Sequence, residues 1–286
     1  MNRDKIKTLF AGRKLIIATK HNKEEVLAPV LSIVLNVECI NDPTLDTDRL
    51  GTFTGEIERI DDVLVTARNK CQMAMEASNC DMAVASEGSF GPHPTLGFIN
   101  ADDEILMFLD VKNDLEIVVR ELSINTNFNG QEIKTKKELL DFANHVKFPS
   151  HALIIRKAYA DNSEIIKGIT DSLILQNAFQ TFINKYGSAY VETDMRAMYN
   201  PTRMEVIKTA AEKLVKKITC FCPDCETPGF GVKEARAGLP CVLCGFPTKS
   251  ILSHLYHCLK CNYSEEKKYP YGKQNEEPAF CDNCNP

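Results

Sequence analysis

Four cysteine pairs carry the plainest chemistry in the chain: Cys222/Cys225, Cys241/Cys244, Cys258/Cys261 and Cys281/Cys284, each spaced C-x-x-C. A thiolate is a soft ligand, and a C-x-x-C turn presents two of them to one side of a tetrahedral ion. Fifteen residues separate the first two pairs and nineteen the last two, both within the window of a four-cysteine zinc site. Eight thiols thus imply two structural zinc sites. Sequential pairing, first with second and third with fourth, is the expectation; an interleaved arrangement uses the same ligands. Pro223 and Gly245 suit the turns, Cys220 reads as a spare buried thiol, and His254 and His257 read as neighbours of a site.

A second constellation is rich in oxygen and nitrogen. In ASEGSFGPHP (residues 85–94) an apolar run ends at Glu87, with Ser86, Gly88, Ser89, Gly91 and His93 around it. So many small residues about one acid suggest a backbone that bends sharply and lets a ligand come close. ATKHNKEE places Thr19, His21, Asn22 and Lys23 where a strand gives way to a helix, a natural cradle for phosphate. The polar stretch 46–59 carries Gly51, Gly55, Glu56 and Glu58, and ETDMRAMYNPTRM supplies Arg196 and Arg203. Carboxylates delivered from separate loops to one strand edge can share a hard divalent cation, Mg²⁺ or Mn²⁺, which also binds phosphate oxygens. Each segment has a plainer reading: a helix cap for the first, surface arginines for the last, a proline-fixed turn for His93.

The elements that must position these groups alternate along residues 1–217. KLIIAT reads as a buried strand and residues 23–35 as a helix; IDDVLVTARNKCQMAMEAS is amphipathic at helical spacing. MAVAS reads as a short strand. FIN and EILMFLDV, bridged by ADDE, read as a hairpin, and LEIVVRELSI as a further strand. Thr135 and Glu138 make a capping box before TKKELLDFANHV. HALIIRK is a strand, SLILQNAFQTFINKY a helix, and Asn200-Pro201 opens the last helix. The expected fold is an α/β domain built on a mixed sheet with flanking helices, followed over residues 218–286 by a double zinc-ribbon-like module.

The blocks ATKHNKE, GTFTGEIERIDDVLVTARNK, DMAVASEGSFG and MRAMYNPTRMEVIKTAA, in that order, resemble the noncanonical purine nucleoside triphosphatases, the inosine/xanthosine triphosphatase group. The resemblance implies Mg²⁺-dependent cleavage of a nucleoside triphosphate. Glu87 would take the catalytic metal position, Glu56 or Glu58 would be the second carboxylate, and Lys23 would face phosphate. The extra residue before Asn22, the GPHP segment and the cysteine-rich tail depart from that pattern. SEGSFGPHP and NPTRM followed by the cysteine pairs is closer still to a bacterial family of unknown function, which implies no activity.

Bulk composition sets limits on partners. The 286 residues are 44% hydrophobic and 26% charged with a net charge of −5, ordinary for a globular protein and without a global basic field. The apolar run LIIA is too short for a secretion signal, and no segment approaches the roughly 18 apolar residues of a membrane span. A cytoplasmic protein with no membrane partner is expected, where clustered cysteines signal zinc rather than disulfides. From residue 218 onward seven Lys and Arg face eight Asp and Glu, a balance that opposes nucleic-acid binding and favours a structural or protein-contact role. The functional expectation is a metal-dependent phosphohydrolase acting on a nucleotide or related phosphorylated small molecule. Its alternative is a non-catalytic zinc-bearing adaptor that binds nucleotide or protein.

Overall fold

The computed structural model describes residues 2–45 and 62–286, and Arg3–Val215 forms one compact unit, with the chain from Lys216 onward in another. Glu56 and Glu58 lie outside the described residues. The first sheet of the larger unit contains β1 (Lys14–Ala18), β2 (Glu38–Ile40), β3 (Met82–Pro92), β4 (Asn100–Asp110) and β5 (Leu115–Ser123), in the spatial order β2-β1-β3-β4-β5. β1 runs parallel to both its neighbours, while β3, β4 and β5 form an antiparallel meander. The sheet is mixed, as its alternating sequence implies.

Three helices accompany this sheet: α1 (Asn2–Phe10), α2 (Glu24–Leu35) and α3 (Val63–Ser78). Asp62 caps α3 by accepting the Leu64 amide, and left-handed Asn79 ends it. Its buried stripe, Ala67, Cys71 and Ala74, meets Ala83, Ala85, Met107 and Leu109 of the sheet. Small residues on both surfaces let helix and strands approach closely. The opposite sheet face carries the even-numbered residues of β3 and β4, where Phe10 meets Phe108 edge-on.

Two expectations about this sheet change. β3 does not bend after Ala85 but runs on to Pro92, eleven residues in all, in register with β4 from Met82 opposite Asp110 to Pro92 opposite Asn100. ADDE is not a turn either; it is part of β4, which runs unbroken through eleven residues. The polarity of the segment suggested a loop, yet Asp102, Glu104, Leu106 and Phe108 follow strand alternation onto one buried face.

A second, fully antiparallel sheet contains β6 (Gly130–Ile133), β7 (Leu153–Arg156), β8 (Ile165–Ile169) and β9 (Ala189–Thr193), ordered β6-β9-β7-β8. Leu139 and Phe142 of α4 (Lys136–His145) and Leu175, Phe179 and Phe182 of α5 (Ser172–Tyr186) close a core over it with Leu153, Ile155 and Val191. The Thr135–Glu138 capping box is present in full. Asn200 accepts the Arg203 amide at 3.0 Å and so caps α6 (Pro201–Ile218).

The C-terminal unit has a three-stranded antiparallel sheet of β10 (Gly231–Ala237), β11 (Ile251–His257) and β12 (Ser264–Lys268). Its apolar core is small: Phe230 and Cys222 with Tyr256 and Tyr263. So little buried area leaves its stability to cross-links. No described helix is long and apolar enough to cross a membrane.

Candidate functional site

The eight paired cysteines fall into two clusters, Cys222/Cys225/Cys258/Cys261 and Cys241/Cys244/Cys281/Cys284. Each C-x-x-C turn repeats one backbone pattern. The residue after the second cysteine donates its amide to the carbonyl of the first: Glu226 to Cys222, Gly245 to Cys241, Asn262 to Cys258 and Asn285 to Cys281, at 2.8–3.1 Å. Three of these donors, Glu226, Gly245 and Asn262, have left-handed backbone, a conformation only Gly245 adopts without cost. Sulfur–sulfur distances are 3.6 Å for Cys222–Cys261 and Cys225–Cys258, 3.9 Å for Cys241–Cys284 and 3.7 Å for Cys244–Cys281. Tetrahedral zinc with Zn–S bonds of about 2.3 Å holds its sulfurs roughly 3.8 Å apart. The clusters therefore fit zinc and are far too open for a disulfide of about 2.05 Å.

The pairing is interleaved, first with third and second with fourth, which corrects the sequential expectation. Sheet register is the reason. Gly231 of β10 lies opposite His257 of β11, so the cysteine turn entering β10 sits beside the one leaving β11. The second site is drawn together by Glu276, whose backbone bonds Val242 and Pro240 at 2.9 and 2.8 Å. Electrostatics also calls for a cation. The Phe246 amide helps pull the Cys244 thiol down to about 6, while the neighbouring Cys244 helps push Cys284 up to about 12. Four thiolates cannot crowd together without positive charge between them.

In the larger unit a cluster of charges gathers on the sheet face that carries the even-numbered residues of β3. Lys23, immediately before α2, donates to the Ser86 hydroxyl at 2.7 Å, and both are buried. Arg203, in the first turn of α6, is 1% exposed; its Nε donates to Glu104 Oε1 at 2.6 Å and its Nη1 to the Met195 carbonyl at 2.6 Å. Its guanidinium lies 5.2 Å from the Phe90 ring centre. Gly88 explains itself here. A Cβ at that position would stand 2.5 Å from Arg203 Nη2 and 2.5 Å from Glu104 Oε1. The glycine admits side chains, not a bend.

Asp102, two residues before Glu104 on the same strand face, is 1% exposed, and neither of its carboxylate oxygens has a hydrogen-bond partner among the described residues. Glu104 Oε2 is equally without one. Burial, then the Glu104 charge, pushes the Asp102 carboxyl up to about 8. Burial, then the Arg203 charge, brings the Lys23 ammonium down to about 7. Burial dominates both shifts, and the neighbouring opposite charges offset it only in part.

The other residues singled out by sequence take separate places. Glu87 points to the opposite face, where Lys70 of α3 pairs with it at 2.5 Å. Ser89 shares Glu87's face by alternation and is exposed. Thr19 directly follows β1 and accepts the His21 amide at 3.4 Å; Asn22 is exposed, left-handed, and donates to Glu25 at 3.3 Å. His93 is half-buried in the β3–β4 turn, its Nδ1 accepting the Thr95 and Leu96 amides at 3.1 Å each. Arg196 pairs with buried Asp194 at 2.6 Å and lies over Tyr199. The structure thus unites Lys23, Ser86 and Arg203 and adds Asp102 and Glu104. Strand alternation through ADDEILMF was the signal that could have found the last two.

A family model described as "Domain of unknown function (DUF6671)" matches residues 70–286. Among solved structures, the chain is similar to protein VC0702 from Vibrio cholerae, with 11% identity and a TM-score of 0.32 over 72% of this chain and 94% of that one. No curated protein matches.

Proposed function

The chain belongs to the DUF6671 family, and from that premise we propose that its α/β unit is a metal-dependent phosphohydrolase for a nucleotide or related phosphorylated small molecule. One observation carries the reading: Lys23 and Arg203, each at the beginning of a helix, converge on Ser86 and Gly88 of a single sheet face. The positive ends of α2 and α6 reinforce those two cations, and anions settle where helix N-termini and fixed cations coincide. Lys23, depleted of counter-charge by burial, regains it from a phosphate oxygen. Arg203, braced by Glu104 and the Met195 carbonyl, is a rigid fork for a second oxygen. Ser86 orients the ammonium. A divalent cation bound beside them would neutralise phosphate charge and lower the pKa of the attacking water.

The test is turnover of a nucleotide panel by the full chain with Mg²⁺ or Mn²⁺, comparing wild type with Lys23→Met. Loss of about a hundredfold in kcat/KM is expected, the scale of removing one preorganised charge-stabilising donor. Equal turnover in a variant of unchanged zinc content and circular dichroism would sink the assignment. A second reading, a zinc-bearing protein adaptor, has its own support: Val242, Leu243, Phe246 and Phe280 are exposed around the second cysteine cluster. Nucleotide binding without hydrolysis under either metal favours it.

A further inference from the structure

We propose that Asp102 and Glu104 form a binding site for a hard divalent cation, Mg²⁺ or Mn²⁺, on the even-numbered face of β4; the inference deepens the phosphohydrolase reading and rests on it for the identity of the anion. Two carboxylates two residues apart on one strand, both excluded from water, repel each other and pay the full cost of lost hydration. Asp102 has neither oxygen hydrogen-bonded and Glu104 has one oxygen unbonded among the described residues. Nearby cations relieve this only in part: Lys23 donates to Ser86 and Arg203 Nε to Glu104 Oε1, while both Asp102 oxygens stay without a hydrogen bond among the described residues.

Mg²⁺ suits such a site because it is usually held by one or two carboxylates, completing its shell with water and substrate phosphate rather than a protein cage. Glu87 does not fit the role: the Lys70 ammonium stands at 2.5 Å from its carboxylate, on the other face. Charge arithmetic agrees. Lys23, Arg203 and a divalent ion supply four positive charges against two carboxylates, leaving two, about the charge of one ionised phosphoryl group. Cation and phosphate would therefore enter as a neutral ensemble, each completing the other's site.

The experiment is a Mn²⁺ titration of the zinc-loaded full chain by electron paramagnetic resonance, with and without inorganic phosphate. Wild type is expected to bind one Mn²⁺ displaceable by Mg²⁺ and to bind it more tightly with phosphate. Asp102→Asn and Glu104→Gln should each weaken it by about tenfold or more, while Glu87→Gln leaves it within about twofold of wild type. Asp102→Asn is the decisive variant, because the Asp102 side chain makes no hydrogen bond among the described residues whose loss would unfold the chain. Absence of a Mn²⁺ site in wild type under both conditions overturns the proposal, as does wild-type affinity in folded Asp102→Asn or loss of binding in Glu87→Gln. Bound Mn²⁺ with no nucleotide turnover upholds the cation site and removes the phosphohydrolase. Turnover without a carboxylate-dependent Mn²⁺ site does the reverse.

Discussion

At the scale of the residue, the sheet face around Gly88 is decided by atoms that share very little space. Replacing Gly88 by alanine would drive a methyl group into Arg203 and Glu104, both fully buried and bonded to each other. Gly88→Ala should therefore cost about 1–3 kcal/mol, the usual range for overpacking a filled interior, measured by denaturant unfolding. Unchanged stability would mean the ion pair can move aside. Sequence disclosed part of this neighbourhood by residue type: Lys23 and Arg203 read there as phosphate-positioning groups and Ser86 as a pocket residue, and all three lie on one sheet face. Which acid joined them was not legible. Glu87 drew attention by standing among glycines, yet strand alternation turns it toward Lys70, while Asp102 and Glu104 hid in what looked like a polar turn. Their burial depends on Arg203, 99 positions away from Glu104, and no local pattern reports a partner so distant.

At the scale of the element, local rules did best. The Thr135–Glu138 box and the Asn200-Pro201 start were readable because cap and helix are adjacent in sequence. The short strands β2, β6 and β8 were not, since three to five residues become a strand only when a ladder partner arrives. The first turn of α6 has a second anchor in buried His151, whose Nε2 accepts the Thr202 amide at 3.3 Å and lies 2.9 Å from its hydroxyl. Burial, then the Lys147 charge, holds this imidazole below its ordinary pKa. In the unfolded chain it takes up a proton near pH 6.5, before the folded form does. The unfolded state then binds more protons, so stability is full above that pH and falls as pH drops through the folded value. The melting temperature should decline between about pH 7 and pH 5, with a shallower decline in His151→Gln. Identical slopes in the two proteins would dissociate His151 from acid sensitivity.

At the scale of the whole molecule, the family match spans both compact units, and the cysteine-rich one carries two four-cysteine clusters whose spacing fits zinc. Ligand identity was written in the sequence; ligand partnership was not, because it follows from the β10–β11 register. Paired variants separate the arrangements. Cys222→Ser with Cys241→Ser removes one ligand from each interleaved site, and zinc should fall from about two per chain toward none. Cys222→Ser with Cys258→Ser damages one site alone and should keep about one. Elemental analysis giving the same content for both would contradict the pairing. Interleaving also couples the two loading events. Cys225 and Cys258 are 33 positions apart, and the second cysteine pair lies between them, so seating the first ion shortens the search that joins Cys244 to Cys281. Loss of one ion therefore loosens the hold on the other, and falling free zinc should empty the pair over a narrower span than two independent sites would show.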